Sequence, residues 1–174
     1  MGVPGSESSI LGGAAGQSGS SGFYDYQIEY SARFDAADTS YMHHTRGTPT
    51  NNDKVTISAW IKRGLTNDGA GNSTHYKWAG FGASGDYGMI GFNGGTADTF
   101  ELYDYPSSNL NYKTNAVYRD TTGWYHFHLK MDTTQSSSSD RIKIYVNGIE
   151  ITSFSSSNTP SQDANLGFLE INLQ

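Results

Sequence analysis

Two histidines, His126 and His128, stand two residues apart in WYHFHLKM. In an extended strand, residues at that spacing point to one face. The pair could therefore hold a transition metal, with nearby carboxylates orienting the rings. His43 and His44 are adjacent and would diverge in an extended chain, which suits a joint site less well. A second chemistry is sugar recognition, which needs aromatic faces for C–H groups plus amides and carboxylates as hydrogen-bonding partners. Trp78, Tyr87, Tyr103, Tyr105, Tyr112, Asp104 and Asn109 are the ligand-binding candidates, with Trp60 and Asp86 beside them. The plainer reading is that these aromatics pack sheets or an intersubunit surface, since Tyr buries area at low rotamer cost. There is no Gly-x-Ser-x-Gly elbow, phosphate loop or His-Glu-x-x-His stretch.

Composition narrows the classes. The chain has 174 residues, enough for one domain with a sizeable core plus a tail. Hydrophobic residues make up 35% and aromatics 13%, led by twelve Tyr. Tyr, Thr, Ile and Val suit half-buried pleated strands, and long helical runs are absent, so the expected class is all-β. The net charge is −6, with no basic stripe to displace counterions from phosphates, which argues against nucleic acid as a partner. With no cysteine, disulfides and thiolate chemistry are excluded. No apolar run is long enough to span a bilayer, so no membrane insertion is expected. The opening MGVPGSESSILGGAAGQSGSSG lacks the basic and apolar regions of a secretory signal. The expectation is assembly in a cytoplasm, or a leader already removed.

The elements that must position these residues are strands. Residues 124–131 put Tyr125, Phe127, Leu129 and Met131 on one face, and residues 141–146 do the same for Ile142, Ile144 and Val146. Asn147-Gly148 supplies the two positive φ angles of a type I′ turn. Val146 should then pair with Ile149 and Ile144 with Ile151, with apolar faces agreeing on both arms. VTISAWIK, 55–62, alternates strictly, with Val55, Ile57, Ala59 and Ile61 inward and Thr56, Ser58, Trp60 and Lys62 facing the other way. Further strands are expected over 23–34, 76–82, 87–92, 99–105, 110–118 and 166–173, with a polar loop from Phe154 through Pro160. Strands at this spacing indicate a two-sheet antiparallel sandwich. Residues 1–22 form a Gly/Ser-rich arm and 23–174 the sandwich. An arm of that composition buries too little to order itself, so it is either a flexible linker or a segment that docks on a neighbouring subunit. A chain that stops on an apolar strand also leaves an edge for another copy or segment to cover.

An ordered set of segments carries a resemblance. It runs SARF (31–34), Ser40-Tyr41, TISAWIKR (56–63), GWYH (123–126), DTTQ (132–135) and KIYVNG (143–148). The chain resembles laminin-G-like, or concanavalin-A-like, jelly-roll domains, above all those of marine bacteriophage structural proteins. The match covers roughly 26–173, and the opening Met-Gly-Val-Pro-Gly-Ser resembles such proteins too. The family implies closing strands beyond Gln174.

The resemblance implies a virion structural or decoration protein, in a capsid or tail fibre, that displays a jelly-roll domain and takes host-surface carbohydrate as ligand. Its partners would be other copies of itself and other virion proteins, and its place the particle surface. A carbohydrate-binding adhesin, or a subunit of an extracellular bacterial surface filament, is the alternative. Some members bind calcium through loop oxygens, which makes Asp35 and Asp38 the calcium candidates. The plainer reading is that each Asp ends a strand by bonding its own backbone amides. A His after a Trp-x pair is common in the family without metal, which implies a structural hydrogen bond for His126. Glycosidases of the fold carry two carboxyls on one strand, one to protonate the leaving oxygen and one to attack or activate water. Glu170-Ile171-Asn172-Leu173-Gln174 has Asn and Gln where the later acids stand, so no catalysis is expected.

Overall fold

The computed structural model describes residues 30–34, 41–42, 47, 49–64, 75–83, 86–93, 98–105 and 109–167, with backbone alone at 75–76, 81–83, 86–87 and 105. The chain divides into two compact units, Met1–Met42 and His43–Gln174. In the first, residues 30–34 carry no regular secondary structure, with Tyr30 and Phe34 exposed. That corrects the end of the strand expected over 23–34. Its loose alternation has no described partner strand to fix it. Residues 23–29, the arm over 1–22 and its expected boundary lie outside the described residues.

The second unit is an all-β sandwich. Its strands are β1 (Lys54–Ile61), β2 (His75–Ala83), β3 (Asp86–Asn93), β4 (Thr99–Tyr105), β5 (Leu110–Val117), β6 (Tyr125–Asp132), β7 (Ile142–Val146), β8 (Ile149–Glu150) and β9 (Phe154–Asn158). One short helix, α1 (Ser138–Arg141), separates β6 from β7. A four-stranded sheet runs β1-β6-β7-β8 and a five-stranded sheet β2-β3-β4-β5-β9. Every pairing is antiparallel.

Alternation decides which residues meet between the sheets. Phe127, Leu129 and Met131 of β6 and Ile142, Ile144 and Val146 of β7 come from one sheet. Ile90, Phe92, Phe100, Leu102, Leu110 and Tyr112 come from the other. Phe127 is fully buried and stacks on Phe100 with ring centroids 4.7 Å apart, while the rings of Phe92 and Tyr118 meet it edge-on at 5.6 and 5.5 Å. Such offset and edge-to-face contacts add to the area term.

The hairpin has the expected register. Val146 pairs with Ile149, and the Ile151 N–H bonds the Ile144 carbonyl at 2.8 Å. Asn147 and Gly148 take φ of 52° and 80°, the left-handed region a type I′ turn demands. One expectation fails: Ile149 is 71% exposed. The β8 arm is only two residues long and no described strand continues the sheet beyond it, so its apolar face is not covered. The Ser-rich loop is also more ordered than its composition suggests. Arg141 donates to the carbonyls of Gln135, Ser136 and Pro160, which ties the loop around α1 to the segment after β9.

A second difference is β9, where a polar loop was expected. FSSSN has no apolar alternation, but it is an edge strand whose pairing with β5 supplies backbone bonds without needing apolar side chains. Only Phe154 packs inward, edge-on to Tyr112 at 5.0 Å. The described start of the expected last strand, 166–167, is not strand: Leu166 has no regular secondary structure and Gly167 is helical, because Leu166 is fully buried and the Gly167 N–H is taken by the Asp104 side chain at 2.8 Å rather than by a neighbouring strand. Residues 168–174 lie outside the described residues. Among the described residues no helix is long and apolar enough to cross a membrane.

Candidate binding face

Two populations of polar side chains separate in this sandwich. The first is buried. Arg63, just past β1, lies across the Phe92 ring with its Cζ 4.4 Å from the centroid. Its Nη2 reaches Asp98 Oδ1 at 2.8 Å, its Nη1 donates to the Tyr118 carbonyl, and both ionised side chains are 2% exposed. Asp98, at φ 49°, also accepts from Arg119 at 3.0 Å. This ion group joins the end of the four-stranded sheet to the five-stranded one. Glu101 is likewise buried and engaged by Lys113 at 3.4 Å and Asn93 at 3.2 Å. Asp104 is fully buried and holds the Gly167 amide. A Cβ on Gly167 would collide with that carboxylate, which is why a glycine suits the position.

Asp132, at the end of β6, is the clearest titrating case. Thr134 bonds it twice, through its hydroxyl at 2.6 Å and its amide at 3.1 Å. Gln135 Nε2 adds 2.8 Å and Lys54 an ion pair at 3.5 Å. The Thr134 hydroxyl leads in lowering the pKa to about 2, helped by Gln135, the Thr134 amide and Lys54 against a smaller opposing effect of burial. A depressed carboxylate stabilises the fold above its unfolded value, and that contribution disappears as pH falls through the folded value. Stability should therefore decline from about pH 4 to pH 2. Asp132→Asn should flatten that part of a urea-midpoint profile; an unchanged slope would refute the assignment.

The second population is on the outer face of the four-stranded sheet. β1 alternates exposed and half-buried along its whole length, so Lys54, Thr56, Ser58 and Trp60 face out. Across from them on β6 stand Asp132, Lys130, His128 and His126. The register sets three rungs. Trp60 lies opposite His126; Ser58 opposite His128 and, beyond it, Tyr145; Thr56 opposite Lys130 and, beyond it, Lys143. Trp60 is 52% exposed, and its ring lies 5.0 Å from that of His126. His126 Nε2 and Ser58 Oγ share a hydrogen bond of 2.8 Å. The His126 amide donates to Asn147 Oδ1 at 2.8 Å, so the turn also fixes this rung. His128 meets Tyr145 edge-on at 5.7 Å. Lys143 donates to Glu150 at 2.9 Å, and that bond leads in holding the ammonium above the usual lysine range. A hollow of about 200 Å³ opens at the third rung between Lys54, Thr56, Lys130 and Asp132, with Val55 and Met131 beneath.

The candidates named from sequence fall in several places. Tyr112 and Asp104 are turned into the sandwich, where Tyr112 shares a 2.6 Å hydrogen bond with Thr159. Trp78 is half-buried against the core, its ring 6.2 Å from Phe127. Tyr103 is half-buried on β4 opposite Asn111 of β5, and Asn109 is exposed at φ 51°. Tyr87 and Tyr105 face each other across the β3–β4 ladder, but their side chains lie outside the described residues, as does that of Asp86. Asp35, Asp38, His43 and His44 lie outside them too. His126 and His128 do share one face, yet each has its own partners. Among the described residues no three His, Asp or Glu side chains converge as metal ligands. The pairing of Trp60 with His126 could have been read from sequence only by aligning the two outward series across the β1–β6 ladder.

No protein-family model matches the chain, and neither does any curated protein or solved structure.

Proposed function

We propose that this chain is a non-enzymatic structural or decoration subunit of a virion, displaying its sandwich for recognition of host-surface carbohydrate. The observation that carries the reading is the separation of its polar chemistry. Asp98, Glu101, Asp104 and Asp132 are buried and committed to holding the fold, whereas a half-exposed tryptophan and two histidines lie on an outward sheet face. Asp132, held at a pKa of about 2 chiefly by the Thr134 hydroxyl, is ionised near neutrality and cannot serve there as a general acid. The virion assignment draws its support from the resemblance of the ordered segments between 31 and 148 to phage jelly-roll domains.

Light scattering of the full chain over a concentration series tests the display role. Concentration-dependent association, or incorporation into particles, is expected. A chain that stays monomeric at high concentration contradicts it. Polysaccharide hydrolysis that disappears in Glu170→Gln would replace this reading with a glycosidase.

A further inference from the structure

We infer that the outer face of the four-stranded sheet is a binding site for a carboxylate-bearing glycan, which stacks one sugar ring on Trp60 and sets its acid group at Lys130. This rests on the recognition reading above and adds to it a site and a ligand class. Trp60 gives a large apolar surface in open solvent, flanked by the hydroxyl of Ser58 and the imidazoles of His126 and His128. An aromatic plane bordered by hydrogen-bonding groups is what a sugar ring requires.

Charge selects the acidic class. Among the charged residues of this face, Lys54 pairs with Asp132 and Lys143 with Glu150 and Asp140. Lys130 is exposed, and no described carboxylate pairs with it. Lys62, the next outward residue after Trp60, is exposed as well but acts on the Asp120 carboxylate, so Lys130 is the unpaired cation at the third rung, on a chain whose net charge is −6. That cation borders the hollow at the third rung, where the Thr56 hydroxyl can join it on an anion. At about 30 Å³ per water the hollow takes roughly seven waters, which a sugar carboxylate and its ring would displace. Successive rungs lie about 7 Å apart along the strands, so the Trp60 and Lys130 rungs are about 14 Å apart. An oligosaccharide reaches both, whereas one sugar does not.

The composition also speaks against a second copy as the occupant. Lys54, Lys130, Lys143 and Glu150 ring the aromatic stripe, and Lys and Glu are depleted where protein interfaces are dry. A glycan site tolerates them because it stays wet.

The test is calorimetric titration of the full chain with uronic-acid oligomers, sialylated oligosaccharides and neutral oligosaccharides of matched length. Carboxylated oligomers should bind more tightly than neutral ones, and the two acidic arms identify the source of the acid. Trp60→Ala should weaken binding of every bound sugar by about tenfold. Lys130→Gln should weaken only the acidic arms, by about fivefold, and reduce their salt dependence. Tyr103→Ala should leave all of them unchanged. If acidic glycans bind and only Tyr103→Ala weakens them, recognition stands but this site is overturned. If no glycan binds while the chain still associates, the display role survives and the site is again overturned. A change of oligomeric state in Trp60→Ala, without loss of glycan binding, would make the face an interface between copies and also overturn it.

Discussion

Replacing Asp98 with alanine should cost the sandwich about 3–5 kcal/mol. The pair it breaks is buried on both sides, with Arg63 and Asp98 side chains each 2% exposed. The substitution leaves a guanidinium out of water, against the Phe92 ring and the Tyr118 carbonyl, with the Asp98 charge removed. Domains of this size are stable by only about 5–15 kcal/mol, so the variant should be close to unfolding at moderate temperature. Two controls separate the causes. Asp98→Asn keeps a residue that tolerates φ 49° and can still accept a hydrogen bond, so it isolates the charge. Arg119→Ala removes the outer partner, which is 58% exposed, and should cost less than about 1 kcal/mol. Urea midpoints at constant m-value read all three. A midpoint for Asp98→Ala within experimental error of the parent would contradict the account.

Phe127→Ala should cost a similar amount, about 3–5 kcal/mol, for a different reason. Here nothing charged is exposed; a hole opens. The ring is fully buried, stacked on Phe100 and met by Phe92, Tyr118, Trp78 and Tyr125. These neighbours come from both sheets, which a backbone-limited collapse cannot bring together, so most of the cavity should persist. Phe127→Leu should recover a large part of the loss because it refills much of the volume. Trp60→Ala is the matching outer-face change. Trp60 is half in solvent, and surface changes of this kind usually stay within about 0.5 kcal/mol. If Phe127→Ala were as mild as Trp60→Ala, the two-sheet core described here would be wrong.

The sequence made some of this legible and not the rest, and the division is physical. The β6–β7–β8 hairpin could be read because strand alternation and a positive-φ turn act within 30 residues of one another, although the apolar face expected on β8 is left uncovered at Ile149. β1 could be read because its alternation is strict. The edge strand β9 could not, since backbone pairing with β5 holds it and its serines carry no apolar period. The buried ion group was invisible for a related reason. Arg63, Asp98 and Tyr118 are brought together only by the folding of both sheets, and nothing local marks Asp98 as different from a loop acid. The same holds for the binding face. Trp60 could be placed on an outward face, but His126 and His128 became its neighbours only through the β1–β6 register. Tyr112 and Asp104 drew attention as ligand-binding types, whereas their strand positions turn them inward.

The most direct measurement of the central claim is amide chemical-shift mapping of the isotope-labelled full chain during titration with a uronic-acid oligomer. Shifts confined to Thr56–Trp60, His126–Lys130 and the neighbouring part of β7 are the predicted result. Shifts centred on β4 and β5 around Tyr103 and Asn111, or none at saturating oligomer, would contradict it.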